Sequence, residues 1–171
     1  MTTRETLAAG VENCKDLAAR FYPGFDDGNH VRQAAHLPNH FAWTLGHLAL
    51  YLNSLANELD GQGKPGSGFG PGGREAGLFD HESIGFNSTP VADADKYPSV
   101  ARCIEIFERA CDRLGAALRN AKDSDLERAV RWGKVEIPMS AAVMRHVFHV
   151  GTHTGQILDL RRALGLGRVL G

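Results

Sequence analysis

The chain has 171 residues, 43% of them hydrophobic and 23% charged, with a net charge of −1. That length and apolar content can fill one core without disulfides, so residues 1–171 are expected to form a single domain. The near-zero charge gives no long-range attraction for nucleic acid or an anionic membrane surface, and no apolar run reaches spanning length, so neither is expected as a partner. Met1-Thr-Thr-Arg-Glu5 carries neither the basic nor the apolar region of a secretion signal, which points to a cytoplasmic protein. Cys14, Cys103 and Cys111 are an odd number inside helical patterns and read as small core residues, not as a disulfide framework.

Four helical segments follow in chain order. The first carries a capping-box pattern, Thr2-x-x-Glu5, then Leu7, Val11, Cys14, Leu17, Ala18 and Phe21 at helical spacing, and Pro23-Gly24 ends it. The second begins near Pro38 and runs to about Leu59, with Trp43, Leu48, Leu52 and Leu55 as apolar positions and Gly61 as its stop. A connection of about 36 residues then spans 61–97, well above the usual loop of a compact domain, and nine glycines fall between Gly61 and Gly85. Within it Gly61-Gln-Gly63-Lys-Pro-Gly66 matches GxGxxG formally. No strand precedes it and Pro65 blocks the turn into a helix, so the match is coincidental. Gly63-Lys64 also lacks the residues of a phosphate loop.

The third helix is expected after Tyr97-Pro98-Ser99, burying Val100, Cys103, Ile104, Phe107, Cys111, Leu114 and Leu118. A short helical turn over Asp123 to Val130 follows. The fourth helix starts around Pro138 to Ser140 and continues to Leu164, with Gly165 placed as its C-terminal cap and Arg161 and Arg162 complementing the dipole.

The fourth helix has an unusual face. His146, His149, His153 and Gln156 follow i, i+3, i+7, i+10, so one stripe of an apolar helix is built from imidazoles and an amide. His149 and His153, one turn apart, lie about 6 Å from each other along the axis, close enough for both rings to converge on one cation. A third ligand is available in His47, in the middle of the second helix. Three buried imidazoles without a metal would be costly to satisfy, and three ligands leave a coordination position open.

The Trp43-x3-His47-Leu48 helix, the His149-x3-His153-x-Gly155-Gln156-Ile157 helix and the trailing Leu160-Arg161-Arg162-Ala163-Leu164-Gly165-Leu166 resemble the DinB-like (YfiT-like) metal-binding four-helix bundles. The resemblance covers nearly the whole chain. It implies an all-α four-helix bundle in up-down-down-up order, with the long Gly-rich connection crossing between helices two and three, a three-histidine divalent metal site at His47, His149 and His153, and a homodimer. Characterised relatives are thiol-dependent transferases and isomerases. The chain is therefore expected to transfer or isomerise a small-molecule substrate through a low-molecular-weight thiol. A metal-dependent hydrolase and a non-catalytic metal- or ligand-binding stress-response module are the alternatives. Hydrolysis lacks an evident general base, because no carboxylate is fixed near the triad by helical spacing. A ferritin-like di-metal site is excluded by the absence of Glu-x-x-His pairs before His149 and His153.

Zinc is the first choice of metal and nickel the second, since imidazoles suit both. The ligands must be neutral, so occupancy is expected to fall below about pH 6.5. No residue of this chain aligns as a dedicated thiol-binding group. Three further histidines are candidates for a catalytic role: His40, two turns before His47; His146, one turn before His149; and His81, between Asp80 and Glu82 in the long connection. His30 and His36 receive no role.

Overall fold

The computed structural model describes residues 1–61 and 84–169, and the chain is mostly helical. Helix α1 spans Thr3–Ala19, and the expected capping box forms at its start. The Glu5 amide donates to Thr2 Oγ1 at 3.3 Å while the Thr2 amide donates to the Glu5 carboxylate at 2.6 Å. Leu7, Ala8, Val11 and Ala18 are buried. Leu17, expected in that core face, is instead 50% exposed, because it sits one residue (about 100°) off the 7/11/18 stripe.

Helix α2, Phe41–Asp60, begins three residues later than Pro38 suggests. A bridge between Ala34 and Leu37 holds the preceding chain in a turn, and His40 serves as the N-cap. Every residue from Phe41 to Leu50 is buried, so the first half of this helix is enclosed on all sides. His47, in that half, finds its partners within the protein. The helix stops at Gly61, whose φ of +66° is the left-handed conformation a C-terminal cap needs.

Helix α3 spans Val100–Asn120 behind the N-cap Ser99, and Cys103, Phe107, Cys111, Leu114 and Leu118 are fully buried. It packs on both α1 and α2. Arg113 joins it to α2 through Asn53, Asn57 and Asp60.

The helical turn expected over 123–130 is shorter. Helix α4 covers only Asp123–Glu127, and an antiparallel hairpin replaces its end: β1, Ala129–Trp132, pairs with β2, Val135–Pro138. Val-Arg-Trp and Val-Glu-Ile alternate on either side of Gly133-Lys134, and the φ of +61° at Gly133 lets a two-residue turn match the strand twist.

Helix α5, Met139–Ala163, then packs against α1 and α2, with Gly165 at φ +72° just beyond its end. Among the described residues no helix is long and apolar enough to cross a membrane. Beyond Gly61, the coincidental GxGxxG match, with Gly63-Lys64, and His81 with its neighbours Asp80 and Glu82 lie outside the described residues.

Candidate metal centre

His47 faces α5 from the enclosed helix α2, where it is only 5% exposed. The structure brings it together with His149 and His153: one ring nitrogen from each lies within 4.8 Å of the other two. His47 Nε2 and His149 Nε2 are 3.2 Å apart. Two nitrogens held at 2.0–2.1 Å from one tetrahedral ion are separated by roughly 3.3 Å, so the spacing suits a shared cation.

The outer ring nitrogens fix which atoms face inward. His47 Nδ1–H donates to the Ile84 carbonyl at 2.6 Å, leaving the Nε2 lone pair aimed at the cluster. His153 Nδ1–H donates to Gln156 Oε1 at 2.8 Å, and that amide oxygen also accepts from Asn39 Nδ2 at 3.2 Å. Gln156 therefore orients the His153 ring and ties the start of α2 to α5. Lone pairs brought this close repel unless a proton or a cation lies between them, so the donor set fits a divalent metal.

The return of the long connection buttresses the same helix face. Trp43, His47 and Tyr51 follow one another at i, i+4, i+8 on α2. Trp43 Nε1 donates to Ser88 Oγ at 3.0 Å, His47 to Ile84, and Tyr51 Oη accepts from the Phe86 amide at 2.9 Å. The Trp43 indole stacks on His47 at 4.4 Å. Ile84 is fully buried, so this segment forms part of the core beside the cluster.

Burial holds these imidazoles neutral. Desolvation lowers His47 from the usual imidazole range to about 4, and the neighbouring His153 adds a smaller push the same way. His149 falls to about 3, again chiefly through desolvation and then through His153 and His47. His153 is lowered by the same cause. Neutral imidazole is the form that ligates metal.

The other candidate histidines are placed differently. His40 is fully buried as the α2 cap: Nδ1 accepts from the Trp43 amide at 3.2 Å and Nε2–H donates to the Val91 carbonyl at 3.1 Å. Because α2 starts after it, His40 lies at the helix end and acts as its N-cap, outside the three-nitrogen cluster. His146 is buried, with Nδ1–H donating to the Ala142 carbonyl at 2.9 Å, and it packs edge-on against Trp132 at 5.0 Å. His30, given no role from sequence, is buried too.

A cavity of about 820 Å³ opens beside His47 and His149. Its walls come from α2 (Tyr51, Leu55), the hairpin (Val130, Trp132) and α5 (His146, Phe148). The hairpin wall is the part of the site that helical periodicity missed. Its signal was present in the alternating Val130-Arg-Trp132 and Val135-Glu-Ile137 around a Gly-Lys turn. Glu58 lines the cavity as well, but its carboxylate lies 3.6 Å from Arg128. The cysteines take no part in this wall: Cys103 and Cys111 are buried in the core, and burial pushes the Cys14 and Cys111 thiols up.

A family model described as the DinB superfamily matches residues 2–157, which is most of the chain. No curated protein and no solved structure matches it.

Proposed function

The chain belongs to the DinB superfamily, and from that premise we propose that His47, His149 and His153 hold a divalent metal, zinc first and nickel second, at which a low-molecular-weight thiol is activated for transfer to, or isomerisation of, a small-molecule substrate. The observation that carries the reading is the three-nitrogen cluster opening onto a cavity large enough for a ligand. A divalent cation there lowers the pKa of a thiol or water that reaches its open side.

The chain's own groups do the rest. Ile84 and Gln156 keep two imidazoles in the ligating tautomer, and Leu55, Val130 and Trp132 give the approach an apolar lining. The nearby carboxylate, Glu58, is engaged by Arg128, which favours a nucleophile that needs no general base over hydrolysis. Since the chain's own Cys14 and Cys111 are held protonated by burial, the thiol in this reading is supplied from outside.

The four long helices are read as an up-down-down-up bundle, with the 61–97 connection crossing between α2 and α3, and the assembly as a homodimer in the cytoplasm. Light scattering on the purified protein tests the dimer. The function is tested by loading the protein with zinc or nickel and offering bacillithiol, mycothiol or glutathione together with monochlorobimane. Metal-dependent conjugation by wild type, lost in His149→Ala along with most of the bound metal, is expected. Stoichiometric metal without turnover of any thiol would turn the reading to a binding protein.

A further inference from the structure

Resting on the site described above, we propose that the cavity beside the histidine cluster is a subsite for a carboxylate-bearing apolar molecule, with Arg145 as the group that binds the carboxylate. The cavity is lined largely by apolar side chains, yet Arg145 stands in its wall. Arg145 makes no ion pair with a carboxylate among the described residues. Its guanidinium instead lies over the Trp132 ring, 5.4 Å from the centroid. An indole face holds a cation by its quadrupole but does not neutralise it, so the charge remains available and its position is fixed.

Among the described residues, the other charges around the cavity do not pair with Arg145. Glu58 is turned to Arg128 at 3.6 Å. Arg131 lies directly across the hairpin from Glu136, and its Nε donates to the Gly133 carbonyl at 3.0 Å. Arg131 and Arg145 both line the wall without an ion pair among the described residues, but Arg145 is the one set one turn before His149 on α5, and a planar guanidinium pairs best with a planar carboxylate through two parallel N–H···O bonds.

Placement on α5 sets the shape of the ligand. Arg145 precedes His149 by one helical turn, about 6 Å along the axis, and both line the same cavity. A molecule anchored at Arg145 lays its apolar body between Leu55, Val130 and Trp132 and brings its other end to the imidazole cluster. The exposed rings of Phe86 and Phe148, 80% and 77% accessible, stand in the same lining and would be covered by such a ligand.

Calorimetric titration with 4-phenylbutyrate and its uncharged counterpart 4-phenylbutanamide tests this near neutral pH, on zinc-loaded and on EDTA-dialysed protein. Wild type should prefer the carboxylate by about tenfold or more in both states, the gain of one charge-assisted pair. Arg145→Met should erase the preference with zinc stoichiometry unchanged, and Arg145→Lys should restore part of it. Equal affinity for the two probes, or a preference that survives in Arg145→Met, overturns the proposal. So does a preference present only with zinc, since the carboxylate would then be ligating the metal. Failure of the protein to bind zinc while the Arg145-dependent preference persists would sink the metal reading and leave the anion subsite standing.

Discussion

Gln156 fixes the orientation of one ring of the cluster. Its amide oxygen accepts from His153 Nδ1–H, and without it that proton has no acceptor and the ring is free to turn. Gln156→Leu is expected to weaken zinc binding by about 10- to 100-fold, read by competition with a chromophoric chelator, with saturating stoichiometry retained. The acid response follows from the same burial. His47 and His40 are each lowered to about 4 and His149 to about 3, chiefly by desolvation. Between the unfolded value of about 6.5 and these folded values, the unfolded chain binds more protons, so the stability contributed by neutral imidazole is complete above about 6.5 and drains as pH falls toward 4. The melting temperature of metal-free protein should decline through that window and stay level above it. Because the folded ligands need not lose a proton near pH 5.5, zinc should be retained there, lower than the 6.5 threshold of free imidazole; elemental analysis after dialysis at about pH 5.5 checks this.

At the scale of elements, the start of α2 decides what His40 is. A histidine inside the helix would project from its face, but as the N-cap it satisfies the Trp43 amide and pins the returning connection at Val91. His40→Ala should therefore destabilise the fold by about 1–3 kcal/mol in urea unfolding while leaving the metal content unchanged. Loss of metal in proportion to loss of stability would instead assign His40 to the cluster. The hairpin acts as an element in the same sense. Four residues a side would not persist alone in water, and this one is held because Val130 is buried, Trp132 packs on His146 and the Met139 amide donates to the Arg128 carbonyl at 2.9 Å.

For the molecule as a whole, Arg161 joins what the chain leaves far apart. From the last turn of α5 it donates to the carbonyls of Phe21 at 3.1 Å and Pro23, just after α1, and to those of Leu166 at 2.9 Å and Gly167 at 3.2 Å. Its expected role as a dipole partner is thus enlarged: at 3% exposure it is a buried clamp between the two helix ends. Arg161→Met would orphan several carbonyls together and is expected to cost about 2–4 kcal/mol by chemical denaturation, whereas Arg162→Met, which loses only an exposed pair with Asp159, should cost under about 1 kcal/mol.

The helices and three of the inward imidazoles were legible from the residues alone. Periodicity, the Thr2/Glu5 box, Ser99, Gly61 and Gly165 are local signals, set by spacing and backbone conformation within a few residues. The i, i+4 placement of His149 and His153 is equally local. Tertiary structure decided the rest. That Ile84 orients His47, that Trp132 turns toward Arg145 and His146, and that Leu17 faces solvent depend on which surfaces meet, and contacts between different elements leave no periodic trace in the chain. A lone pair's direction is fixed by the partner on the ring's far side, and only the packed molecule brings that partner there.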